Sequence, residues 1–163
     1  MLALRYVYVL ALVVWLGGMV TLGAIVAPAT FQVLQAADPI AGRALAGEAF
    51  GVIIARFHYL AYGAGLLLLM SLAAMAVLGP RPPAFAARSS LIFVMLAVAV
   101  YSGFIVLGNI DAIQSEVGTL PSRLAASDPR RIRFDQLHQL STWLMMFNMA
   151  GAVVLLYWEA REH

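Results

Sequence analysis

The stretch YVYVLALVVWLGGMVTLGAIV, residues 6–26, contains no charge and nothing more polar than threonine and tyrosine. Coiled as a helix at about 1.5 Å per residue it reaches about 30 Å, the thickness of a bilayer's hydrocarbon core. Arg5 before it and APA at 27–29 imitate a secretory leader. Leader cores, however, run only about 7–15 residues, and three further apolar stretches follow. The stretch therefore reads as a retained membrane helix, and its solvent is lipid.

The rest of the chain agrees. It has 163 residues, 63% of them hydrophobic and only 11% charged, with a mean hydropathy of +0.90; soluble domains carry about one-quarter charged residues. Charge-free runs mark the spans: 32 residues from Tyr6 to Ala37, 24 from Phe57 to Pro80, 22 from Ser89 to Ile110 and 23 from Gln136 to Trp158. Each exceeds the ~20 residues needed to cross. The expected fold is an all-α polytopic four-helix bundle, up-and-down, forming one domain over 1–163. Its spans are expected near 6–27, 57–78, 89–110 and 136–158. Cysteine is absent, which excludes thiolate sites and thiol catalysis. A net charge of +2, dispersed along the chain, gives no footprint for nucleic acid.

Four crossings put both termini on one side, here side A, together with the link GPRPPAFAAR at 79–88. Side B receives two longer connections. In DPIAGRALAGEAF, residues 38–50, Asp38 is placed to cap and Pro39 to open a helix. A short interfacial helix over about 39–50 is predicted. SDPRRIRF, residues 127–134, repeats the Asp-Pro start, and its helix is predicted to run unbroken into the fourth span. Arg130, Arg131 and Arg133 would then lie where the helix dipole disfavours cations. Pairing with Asp111 and Glu116, which emerge from the third span in GNIDAIQSEV (108–117), is one remedy; lipid phosphate is the other. Side A carries four arginines in short segments, so the positive-inside bias places it, with both termini, in the cytoplasm. The expected location is a bacterial cytoplasmic membrane, crossed several times.

No Asp, Glu or Arg falls within the counted spans, and Lys is absent altogether, which argues against coupled transport. Gly17, Thr21, Ala24 and Pro28 recur at spacings of four, three and four, a strip of small residues expected to face another helix. Trp15 and Asn148 share a depth near the midplane, where a hydrogen bond between them is expected to hold two helices together, worth about 0.5–2 kcal/mol. His58 and His138 both enter the bilayer from side B at matching depth. Three readings of them stay open: interfacial groups bonded to water or phosphate, the axial pair of a haem b, or, for His138 with Met145 and Met149, a copper site suited to thioethers. His163 at the tail carries no signal. No nucleophile–base pair, phosphate loop or paired catalytic carboxylate is visible, so nothing marks an enzyme. Besides the bilayer, a membrane-protein partner or a second copy is the partner class such a bundle admits.

WLGG (15–18) followed by APATF (27–31), AGRALAGEAF (41–50) and FDQLHQLSTWLMMFN (134–148) together resemble the transmembrane-protein-205-like domain family, a membrane family of unknown function. The resemblance covers nearly the whole chain. It implies a role for His138 and, on the first helix, for Trp15, Gly17, Gly18, Pro28 and Phe31. That family is distantly similar to the copper-resistance D membrane domain and to the J-type protoporphyrinogen oxidase, which implies a haem or copper connection at one remove. A lysine associated with the oxidase has no counterpart here. Three functions follow as expectations: a haem-binding or redox module, a copper-handling domain, or a non-catalytic interaction subunit.

Overall fold

In lipid no water is present to bond a stray N–H or C=O, so an apolar chain must satisfy its backbone within each segment, and the helix does this. The computed structural model describes residues 2–118 and 120–161; His163 lies outside them. Among the described residues there is no strand. Four helices are long and apolar enough to cross a membrane: α1 (Leu2–Ala37), α2 (Gly42–Leu78), α3 (Phe85–Val117) and α4 (Pro129–Ala160). Each packs against its neighbours in sequence and α4 closes on α1, so α1 faces α3, and α2 faces α4, across the bundle. This is the up-and-down bundle expected of a multi-pass membrane protein.

The helices are longer than the spans inside them. At 37 residues α2 measures about 55 Å, well beyond a ~30 Å hydrocarbon core. The predicted interfacial helix over 39–50 is therefore not separate: it is the first part of α2. Between Phe50 and Phe57 the only weak helix former is Gly51, costing about 1 kcal/mol, and extending an existing helix is easier than ending and renucleating one. Asp38 does act at its start, accepting from the N–H groups of Ile40 (2.8 Å) and Ala41 (2.9 Å). α4 runs unbroken, as expected, from Pro129, with Asp128 Oδ1 accepting from Arg130 N at 2.9 Å.

Both capping carboxylates are held below their ordinary range, Asp38 by the N–H groups of Ala41 and Ile40, Asp128 by the guanidinium and N–H of Arg130. A carboxylate lowered by folding stabilises above its unfolded pKa and loses that contribution only as pH falls through the folded value. Both caps are thus intact at neutral pH. Asp128 also answers the question of the crowded arginines. Arg130 pairs with Asp128 on its own helix (2.9 Å), Arg131 reaches Leu124 O (2.7 Å), and Arg133 reaches Asn109 Oδ1 (3.4 Å). The expected bridge from Arg131 to Glu116 is not among the described ion pairs, because nearer acceptors take these groups.

Large side chains fill the centre: Tyr8, Leu12, Trp15 and Met19 from α1, Leu68 and Leu72 from α2, Ile92 and Met95 from α3, Leu155 from α4. The Gly17–Thr21–Ala24–Pro28 strip, expected to pack, faces outward instead, and nothing lies within 4 Å of a side chain built at Gly17. Burying Trp15 and Tyr8 removes more apolar surface than burying glycine and alanine, so the heavy face turns in. Room for it comes from single glycines. A Cβ on Gly65 would meet Trp15 at 3.1 Å, and one on Gly18 would collide with the Phe57 ring. Phe31, farther along α1, meets Phe50 edge-on at 6.5 Å between centroids.

Charges at the span ends are also drawn in. Glu159 pairs with Arg88 (2.5 Å) and with Arg5, and the Arg88 guanidinium lies over the Tyr8 ring at 5.3 Å. Arg88 is 1% exposed and Glu159 5%. Two cations and one anion are thus locked between α1, α3 and α4 at side A. Removing one member of such a group strands the others in a medium that cannot solvate them, at a cost of about 3–5 kcal/mol, with the part-exposed Arg5 contributing least. Glu159→Gln is expected to lower the melting temperature in detergent by several degrees. Arg88→Met combined with Glu159→Leu should recover most of the loss. An unchanged midpoint in Glu159→Gln would show that the triad does not hold the helices.

Candidate intramembrane binding site

Toward side B the packed centre gives way to a cavity of about 180 Å³ that touches all four helices. Its walls are mainly apolar: Trp15 and Met19 from α1, Phe57 from α2, Leu107 from α3, Leu144 and Met145 from α4. Its polar groups are His58, Ser102, Ser141, Thr142 and Asn148.

Two irregular turns border it. In α1, residues Leu22–Val26 form a π-turn, with Ala27 N–H bonding back five residues to Leu22 O. Pro28 follows at once and has no N–H to give, which favours a local change of helical pitch. In α3, Ser102–Val106 forms a second π-turn, closed by Leu107 N–H on Ser102 O. Such insertions cluster at functional sites because they re-aim side chains inside an otherwise regular helix. Leu22, Gly23 and Ala27 line the cavity from the first turn, Ser102 and Leu107 from the second.

Gly103, inside the α3 turn, admits the side chains of α2. A Cβ there would run into Tyr62 Oη and would come within 2.8 Å of His58 Cδ2. Tyr62 stacks on Phe104, with centroids 5.8 Å apart, and its hydroxyl donates to Ala99 O at 3.4 Å. His58 Nδ1 sits 2.9 Å from Ile54 O. A carbonyl can only accept, so Nδ1 carries the proton, and in the neutral ring Nε2 is left as an acceptor on the residue that lines the cavity.

Asn148 is 5% exposed, and its Oδ1 has no hydrogen-bond partner. The bond to Trp15 expected from their common depth is not made; the two side chains line the same space instead. A buried carbonyl oxygen left in this state costs about 1–3 kcal/mol, and in a native fold it asks for a reason.

The other sequence candidates separate. His138 is exposed and stacks on Phe134, centroids 6.2 Å apart, so it does not line the cavity that His58 lines. Ten residues before Asn148 is about 2.8 turns, which puts His138 about 80° round the helix from it, on the flank of the inward face. Met145 lines the cavity, whereas Met149 packs against the central cluster. Among the described residues no three His, Asp or Glu side chains gather to hold a metal ion. Sequence reasoning missed Met19 as a wall residue, although its place one turn beyond Trp15 on the same face could have found it.

Residues 10–119, about two thirds of the chain, match the model of a family described as a domain of unknown function, DUF4149. The chain belongs to the DUF4149 family. No curated protein and no solved structure matches it. The match takes in Trp15, Met19, His58 and Ser102, and it ends before α4, which supplies Ser141, Met145 and Asn148. In this DUF4149 protein the cavity is thus built jointly by matched helices and by one beyond the match.

Gly103→Ala forces Tyr62 and His58 apart, and both are anchored to backbone carbonyls, so the overpacking should cost about 1–3 kcal/mol. The midpoint of thermal unfolding in detergent is expected to fall accordingly. Gly108→Ala, on the same helix with nothing within 4 Å of the added methyl, should leave it unchanged or raise it slightly. Equal behaviour of the two variants would contradict the close approach described here.

Proposed function

We propose that this protein is a membrane-embedded binding module for a small, ring-sized amphiphile that donates hydrogen bonds, such as the head group of a phenol or hydroquinone. The observation that carries this reading is Asn148 Oδ1, buried without a partner on the wall of a cavity that His58 also lines. Both offer acceptors, so the complementary ligand brings donors. An apolar cavity of about 150 Å³ accepts benzene, and the space here is similar, at about 180 Å³. Trp15 and Phe57 supply aromatic walls for a ring.

A second reading rests on donor chemistry. His58, Met19 and Met145 line the same cavity, and an imidazole with two thioethers suits monovalent copper. It replaces the set of His138, Met145 and Met149 expected from the sequence, and the likeness to copper-resistance domains favours it. Haem b shared between His58 and His138 finds less support, since only His58 lines the cavity.

The test uses protein whose sole indole is Trp15, with Trp143→Phe and Trp158→Phe, titrated in detergent with tetramethylhydroquinone while Trp15 fluorescence is followed. Saturable quenching is expected. Asn148→Leu and His58→Ala should each weaken it three- to tenfold, the loss of one net hydrogen bond. Asn148→Leu should keep or raise the ligand-free melting temperature, because an unsatisfied polar atom is removed. Quenching that does not saturate, or that Asn148→Leu leaves unaltered, overturns the amphiphile reading. Tight Cu(I) binding abolished by His58→Ala and by Met145→Leu would put the copper reading in its place.

A further inference from the structure

At side A the buried triad opens onto two adjoining grooves of opposite character. One, of about 480 Å³, is lined by Arg5, Arg81, Arg88, Glu159 and Met75 beside the proline-rich link. The other, of about 760 Å³, starts from the same Arg5 and Glu159 and continues between α1 and α4 along Leu2, Tyr6, Val7 and Leu156. Those apolar side chains are outward-facing, with Leu2 84% and Tyr6 68% exposed. A third recess, of about 590 Å³, joins Arg5 to Trp158 and Arg161. Arg5 lines all three.

Charge is unbalanced here. The side chains lining these recesses include four guanidiniums (Arg5, Arg81, Arg88 and Arg161) and one carboxylate, Glu159. The triad alone carries a formal +1 in a place where little water screens it. The two rim cations are steered by aromatic rings, Arg81 over Phe85 at 5.9 Å and Arg161 over Tyr157 at 5.7 Å. Planar guanidinium forks match phosphate oxygens, and an arginine near an anionic membrane surface strengthens binding about fivefold.

We propose that this end of the bundle binds one anionic phospholipid, its phosphate head group among Arg5, Arg81 and Arg161 and an acyl chain in the apolar groove between α1 and α4. The two features are independent: the cation surplus selects the head group, and the groove running on from it selects a molecule with a tail. This site lies at the opposite end of the bundle from the cavity and does not depend on the function proposed for it.

Native mass spectrometry of the full chain in detergent tests the proposal, with phosphatidylglycerol and phosphatidylcholine of identical acyl chains offered in competition. The expected result is at least a fivefold preference for phosphatidylglycerol, one-to-one with protein. Arg81→Gln with Arg161→Gln, both outside the triad, should bring that preference close to one. A parallel arm reads the melting temperature with inorganic phosphate alone, which should stabilise far less than phosphatidylglycerol does. Equal retention of the two lipids overturns the proposal, as does a preference untouched by the double variant. Stabilisation by inorganic phosphate equal to that by the lipid also overturns it, since the acyl groove would then contribute nothing.

Discussion

A carboxylate and two guanidiniums buried in a low-dielectric bundle have no solvent to fall back on, so they must answer one another. Glu159 does this for Arg88 and Arg5 at once, and the consequence is geometric as well as electrostatic. Three helices are fixed at one height and one rotation, with Tyr8 laid under Arg88. From that end the chain packs tightly through Leu12, Trp15, Leu72 and Ile92 toward the middle of the membrane. Only beyond Trp15 do the helices part around a space. The molecule is closed by charge at side A and hollow toward side B, and each end has a chemistry the other lacks.

The hollow half owes its shape to backbone irregularity. A regular helix presents the same face along its whole length, and two π-turns, in the diagonal helices α1 and α3, break that regularity at the level of the cavity. Pro28 gives a covalent reason for the first turn. At the second, Gly103 lets the Tyr62 and His58 side chains press against the α3 backbone where any Cβ would obstruct them. The outward strip of Gly17, Thr21, Ala24 and Pro28 belongs to the same economy of packing: α1 gives its interior to aromatics and leaves its small residues outside.

How far the sequence could be read follows from the range of the forces involved. Lipid as solvent is a property of whole segments, so the four helices and their order could be read directly from charge-free runs. Local capping chemistry was equally legible, since Asp38 and Asp128 act on N–H groups two or three residues away. What failed was rotation. A count of charge-free residues put Arg5, Arg88 and Glu159 at the edges of spans, and nothing in one dimension says that all three turn to a common point. The same limit applies to the histidines, which share a depth as read but not a direction, because about 80° of helix rotation separates His138 from the face that carries Asn148. Small-residue spacing misled for a related reason: the strip is real, but a strip competes for the interior with whatever lies opposite it, and here that includes Trp15.

Asn148 and Glu159 sit eleven residues apart on the same face of α4, three turns in a regular helix, and the fold treats them in opposite ways. The stronger charge is fully engaged; the weaker dipole is buried with Oδ1 unbonded. If burial of polar groups in this bundle served cohesion alone, the amide would be the easier of the two to satisfy, since Trp15 lines the same cavity with an indole N–H. That the oxygen instead borders empty space means the bundle tolerates about 1–3 kcal/mol of unmet hydrogen bonding at one defined point. Cohesion comes from the carboxylate, and the amide is held in reserve. A polar atom that adds nothing to the stability of the free protein, yet is fixed by its neighbours against an apolar cavity, is arranged for a partner that arrives from outside the chain.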